Sequence, residues 1–115
     1  MALRKETRYP AKGEVYIAEV RNTDAVVKNL SASGLCIESS KFMEIIPRSR
    51  YVAEITPDED SGIGKFSVEL ESRWIRTSRQ TSESGFVIVL PPGAPGYELL
   101  KQYIDYLASA PPPES

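Results

Sequence analysis

Apolar residues in this chain fall into six short runs, each bounded by turn-forming residues. The clearest run includes Phe66, Val68 and Leu70, which alternate with polar neighbours at the period of two that is typical of a half-buried strand. The six runs predict strands at residues 14–20, 25–30, 34–38, 51–56, 65–76 and 85–90. A further run at residues 42–46 is too short for its periodicity to decide its structure.

The hydrophobic period changes after the prolines and glycines of residues 91–96. Four apolar residues then recur at the helical spacing i, i+3, i+4 and i+7, namely Leu100, Tyr103, Ile104 and Leu107. This spacing predicts a helix over residues 97–108, and the proline-rich residues 109–115 predict a disordered tail. Six strands and one helix indicate an all-β fold, a small antiparallel barrel, because closure leaves no open strand edge.

Charge is distributed unevenly along the 115 residues, which have a formal net charge of −2. Residues 1–13 contain four cations and one carboxylate, so we interpret them as a flexible basic arm of a single domain spanning residues 1–108. An acidic domain with a basic arm favours a local anionic partner. The acidic net charge disfavours long nucleic acid as a partner, because such binding requires a broadly basic surface.

The composition excludes several kinds of chemistry. The chain has no histidine and one cysteine, so we predict no His-based catalysis, no disulfide, no metal site and no cofactor, and therefore no enzyme. Cys36 lies in an apolar run and is predicted to be a small buried hydrophobe. The carboxylates of residues 58–60 lack a calcium-loop pattern and are interpreted as a solvated loop.

Localisation signals are also few. Residues 1–7 are charged with no apolar segment after them, and the apolar runs are far too short to span a membrane. We expect a cytoplasmic protein without membrane insertion.

Two polar constellations are candidates for binding. Arg4 and Arg8 lie four residues apart on the arm and offer two planar, permanently charged forks. The segment Asn29-Leu-Ser31-Ala-Ser33-Gly34 lies between two predicted strands and presents amide, hydroxyl and backbone N–H groups. The alternative interpretation of the two arginines is a solvated tail, and that of the segment between the strands is an ordinary hairpin turn.

A third constellation follows the clearest strand and consists of Arg73, Trp74, Arg76 and Arg79. Basic residues beside an aromatic can bind single-stranded nucleic acid. Strict alternation, however, places Trp74 on the same face as Phe66 and Leu70, which predicts a core residue.

The first two constellations together resemble the paired signature of PilZ domains, R-x-x-x-R followed by D/N-x-S-x-x-G. Here they read Arg4-x-x-x-Arg8 and Asn29-x-Ser31-x-x-Gly34, and the resemblance covers residues 3–108. It implies a six-stranded antiparallel β-barrel with a C-terminal helix. It also implies binding of the bacterial second messenger cyclic di-GMP.

Site roles follow from that resemblance. Arg4 and Arg8 would grip guanine edges and phosphates, and Asn29, Ser31 and Gly34 would meet the opposite guanine. Lys5 and Ser33 are secondary candidates. An apolar Leu3 before the first arginine implies one bound ligand rather than a stacked pair.

The resemblance also implies output through a partner protein of motility, biofilm, polysaccharide or secretion machinery. Two alternatives stay open: an adaptor of this fold that binds no nucleotide, and a small barrel that binds single-stranded nucleic acid. Monomer and homodimer are both compatible with the sequence.

Overall fold

The computed structural model describes residues 8–20, 25–79, 81–91 and 93–109, and the following elements lie within them. The strands are β1 (Tyr9–Pro10), β2 (Glu14–Ile17), β3 (Ala25–Leu30), β4 (Gly34–Ser39), β5 (Arg50–Thr56), β6 (Phe66–Thr77) and β7 (Ser82–Ile88). One turn of 3-10 helix covers Glu59–Ser61, and helix α1 covers Tyr97–Ser109.

Strands β2 to β7 close into an antiparallel barrel. Their order around the wall is β2-β3-β4-β7-β6-β5, and β5 pairs back with β2. The six predicted strands and the C-terminal helix are therefore confirmed, with ends that differ by a few residues. The short β1 adds to the β3 side of the wall, with Tyr9 opposite Leu30 and Pro10 opposite Asn29.

The core lies inside the barrel, where the alternating apolar residues of each strand converge. Helix α1 adds Leu100 and Tyr103 to it, and the ring of Tyr103 packs edge-on against Phe66. The ambiguous run at residues 42–46 forms neither strand nor helix, although Met43 and Ile45 are buried within it.

Two β-bulges interrupt the alternation on the outer wall. One lies between Val27 and Asn29 in β3, and the other between Ser72 and Trp74 in β6. A bulge adds one residue to a strand, so two consecutive side chains can point outward. The prediction of a core Trp74 is therefore wrong: the side chain is 42% exposed, because the extra residue reverses the parity set by the preceding part of β6.

Parts of the sequence interpretation lie outside the described residues. These are the turn at residues 21–24, most of the arm, and residues 110–115 of the tail, while Ser109 is the last residue of α1. Within the described residues, no helix has the length and apolar character needed to cross a membrane.

Candidate ligand-binding cleft

Arg8 and the β3–β4 turn meet in space. The pairing of Pro10 with Asn29 brings the end of the arm beside β3, and Arg8 Nη1 donates a hydrogen bond of 2.8 Å to Asn29 Oδ1. The structure thus joins the two halves of the predicted site, which lie about twenty residues apart in the chain. Arg4 and Lys5 lie outside the described residues.

Ser31 closes the β3–β4 turn from within. Gly34 N donates to Ser31 Oγ at 3.1 Å, and Ser31 N donates to Gly34 O at 2.9 Å. Ser31 is only 1% exposed, so its hydroxyl shapes the turn and does not face solvent. Direct contact with a ligand would require this turn to open.

Ser33 and Gly34 complete the same turn, with Ser33 exposed and Gly34 buried. A Cβ at position 34 would lie 3.0 Å from Arg8 Nη2, so glycine leaves the space that the guanidinium occupies. Ser33 is exposed, and its carbonyl accepts a hydrogen bond of 2.8 Å from Ile88 N. That bond fixes the turn to the end of β7.

Beside this turn the outer wall formed by β3, β4, β6 and β7 carries a cleft of about 440 Å³. That volume lies within the usual range for small-molecule sites. Four of the predicted residues line it: Arg8, Asn29, Ser33 and Gly34. The charged residues and the tryptophan that sequence reasoning did not assign to this site are Lys28, Arg73, Trp74, Arg76 and Glu83.

Trp74 lies against the backbone of Gly85, its cross-strand neighbour in β7. A Cβ at position 85 would lie 2.8 Å from Trp74 Cζ2 and closer still to Nε1 and Cε2, so only glycine permits this contact. The guanidinium carbon of Arg76 lies 5.2 Å from the indole centroid, within cation–π range. The cleft therefore contains an exposed aromatic surface next to a cation.

Glu83 bridges two of the cleft's cations. Its Oε2 lies 2.5 Å from Lys28 Nζ, and its Oε1 lies 3.0 Å from Arg76 Nη2. The hydrogen bond with Lys28, followed by that with Arg76, lowers the pKa of Glu83, and the bond to Glu83 raises the pKa of Lys28. Glu83 and Lys28 are therefore both charged at neutral pH.

Cys36 is buried at the base of the cleft, as predicted for a small hydrophobe. Burial raises the pKa of its thiol, with a smaller contribution from Glu83. The thiol is therefore protonated at neutral pH and is a poor nucleophile.

A larger cavity of about 700 Å³ lies elsewhere, beside the loop after β5. Its charged lining is one cation, Lys12, against four carboxylates: Glu14, Asp58, Glu59 and Asp60. This composition does not suit an anionic ligand, so volume alone does not identify the site.

Asp58 has a structural role in that region. Its Oδ1 accepts hydrogen bonds from Tyr103 Oη at 2.5 Å and from Lys12 N at 3.0 Å, which ties α1 to the base of the arm. Burial, and then the bond to Asp58, raises the pKa of Tyr103. The predicted solvated loop is thus anchored through its first carboxylate.

No family model and no curated protein matches this chain. Solved structures that share its fold include two bacterial proteins. The Bacillus subtilis inhibitor of motility MotI (DgrA) aligns with a TM-score of 0.69 and 15% identity over 94% of this chain, which spans 50% of the MotI chain. The PilZ domain of YcgR from Escherichia coli, solved with c-di-GMP, aligns with a TM-score of 0.68 and 15% identity over 93% of this chain and 92% of that domain.

The chain therefore has the PilZ fold, a closed six-stranded antiparallel barrel with one C-terminal helix. The resemblance predicted from the sequence is confirmed at the level of the fold.

Proposed function

We propose that this chain is a receptor for cyclic di-GMP that binds the ligand in the cleft between Arg8 and Trp74 and signals to a partner protein. The hydrogen bond between Arg8 and Asn29 is the observation that carries the proposal. It places a cationic fork and an amide at the edge of a cleft of about 440 Å³ whose other cations are Lys28, Arg73 and Arg76.

The chemistry of the ligand matches this arrangement. Cyclic di-GMP has two anionic phosphates and two guanines, and arginine can pair with either through its fork. Arg8, with Arg4 from the arm, would grip a guanine edge and a phosphate, while Asn29 would hydrogen-bond the other base. The indole of Trp74, which is 42% exposed, would supply a stacking surface for a guanine. Binding uses no bond-breaking step, in line with a receptor rather than an enzyme.

Calorimetric titration with cyclic di-GMP tests the proposal. We expect the wild type to bind one ligand per chain and Arg8→Ala to lose about tenfold or more in affinity, since one bidentate arginine–guanine pair contributes about 1–3 kcal/mol. Arg79→Ala is the matched control, because it removes the same charge from a residue that does not line the cleft. Equal affinities of Arg8→Ala and wild type would contradict the assignment, and two ligands per chain would contradict the stoichiometry.

Binding of single-stranded nucleic acid is a second candidate, favoured by the exposure of Trp74 between Arg73 and Arg76. It predicts salt-sensitive binding of a random oligonucleotide, at least as tight as that of cyclic di-GMP. If neither ligand binds, the protein is best regarded as an adaptor of this fold.

The downstream partner would belong to motility, polysaccharide or secretion machinery, and we place its action in the cytoplasm. A motility role agrees with the inhibitor of motility that shares the fold. Affinity capture with and without cyclic di-GMP tests this part of the proposal. A ligand-dependent partner is expected, and an identical set of captured proteins in both conditions would contradict signalling through the ligand.

A further inference from the structure

Glu83 is the one carboxylate among the described residues that line the cleft. The other charged groups there are Arg8, Lys28, Arg73 and Arg76, all cations. A carboxylate in such a position opposes the binding of any anion. Its presence therefore needs a reason beyond the general stability of the strand.

Each oxygen of Glu83 is engaged by a different cation. Lys28 reaches Oε2 from β3, and Arg76 reaches Oε1 from β6, so the contacts of Glu83 in β7 link residues of three strands of the wall. The Glu83 side chain is 15% exposed, against 44% for Lys28 and 71% for Arg76. The carboxylate thus lies beneath its two cations and holds both at the cleft.

Arg76 also links this ion triad to the aromatic surface. Its guanidinium contacts the indole of Trp74 while it donates to Glu83. A nucleotide whose base stacks on Trp74 would therefore place its phosphate close to Lys28 and Arg76. Both of these cations already have Glu83 as a counterion.

We propose that Glu83 sets the affinity of this cleft, as an internal counterion that competes with the phosphates of the ligand for Lys28 and Arg76. The inference rests on the proposed binding of cyclic di-GMP and adds the residue that limits it. Ligand entry would exchange the carboxylate for a phosphate at one or both cations. The affinity of the wild-type protein would then be lower than its cations alone permit.

The test is a calorimetric titration of E83Q with cyclic di-GMP, beside E69Q as a matched control. Glu69 is an exposed carboxylate of β6 that pairs with Arg50 outside the cleft, so E69Q makes the same change in net charge. We expect E83Q to bind about threefold to tenfold more tightly than E69Q, and we expect the gain to shrink as salt screens the charges. Neutral guanosine should bind both variants equally.

Each outcome decides between the two proposals. Tighter binding by E83Q supports the inference, even where the wild type shows no measurable heat. Equal or weaker binding by E83Q, with a wild type that binds, overturns the inference and leaves the receptor proposal standing. No binding by wild type, E69Q or E83Q overturns both. E83T, whose β-branched side chain suits a strand, repeats the test if E83Q does not fold.

Discussion

Gly85→Ala tests whether the indole of Trp74 is held in place by the bare backbone of β7. The new methyl group would occupy the position where Trp74 Cζ2, Cε2 and Nε1 now lie, so the ring must swing outward. Because the contacted atoms belong to a stiff ring, a small adjustment cannot relieve the overlap.

The magnitude follows from the burial of the ring. Trp74 is 42% exposed, so more than half of its surface is covered, and the swing would expose roughly 100 Å² of apolar area. At about 25 cal/mol per Å², exposing this area destabilises the fold by at most about 2.5 kcal/mol. Replacing a glycine within a strand by alanine stabilises the fold by about 0.5–1 kcal/mol, which offsets part of that loss. We expect the free energy of unfolding to fall by about 1–2 kcal/mol. Tm should fall by roughly 4–8 °C for each kcal/mol lost.

Fluorescence measures the displacement directly, because Trp74 is the one tryptophan of the chain. We expect Gly85→Ala to show a red-shifted emission and stronger quenching by acrylamide. We also expect about tenfold weaker binding of cyclic di-GMP, since stacking on an aromatic contributes about 1–3 kcal/mol per base.

Gly64→Ala is the matched control, since a Cβ there meets nothing within 4 Å. It should leave emission, quenching and affinity at wild-type values. Unchanged emission in Gly85→Ala would show that the indole does not rest on Gly85. A shifted emission with unchanged affinity would refute the role of Trp74 as a stacking surface.

Two further predictions concern the turn and the helix. Gly34→Ala places a methyl group 3.0 Å from Nη2 of Arg8, so the affinity for cyclic di-GMP should fall about fivefold while Tm changes little. A loss of Tm comparable to that of Gly85→Ala would contradict this. Tyr103→Phe removes the hydrogen bond to Asp58 and should lower the free energy of unfolding by about 1–3 kcal/mol at neutral pH. Because the raised pKa of Tyr103 favours the neutral phenol in the fold, its stabilisation is complete below a pH of about 10 and is lost at higher pH. Urea unfolding should therefore show the wild type approaching the variant above that pH, and a constant difference would refute the reasoning.

The strands and the helix could be predicted because local pattern and tertiary burial agree along most of the chain. In β6, for example, Phe66, Val68 and Leu70 are buried as their alternation indicates. The run at residues 42–46 resisted prediction because its structure is decided by distant groups. Ile46 N donates to Tyr51 Oη at 2.9 Å, and Ile46 O accepts from Ser72 Oγ at 2.5 Å.

The sequence did not indicate the other residues that line the cleft, for a related reason. The resemblance to PilZ domains pointed to Arg8, Asn29 and Gly34, which the structure brings together. The opposite side of the cleft depends on cross-strand register, in which Trp74 faces Gly85 and Arg76 faces Glu83. No residue spacing within one strand encodes that register, and the bulge that changes it leaves no signal in a hydrophobic pattern.

The two bulges explain how a small barrel can present a polar site without giving up its core. In a regular strand every second residue faces outward, so a wall of four strands offers few neighbouring functional groups. The bulge in β3 places Lys28 and Asn29 at the cleft, and the bulge in β6 places Arg73 and Trp74 there. Ser84, on the inner face, donates a hydrogen bond of 2.8 Å to the carbonyl of Trp74, which keeps the irregular backbone satisfied. The polar groups that line the cleft are thus concentrated where the ladder is broken, while the residues on either side continue to fill the barrel.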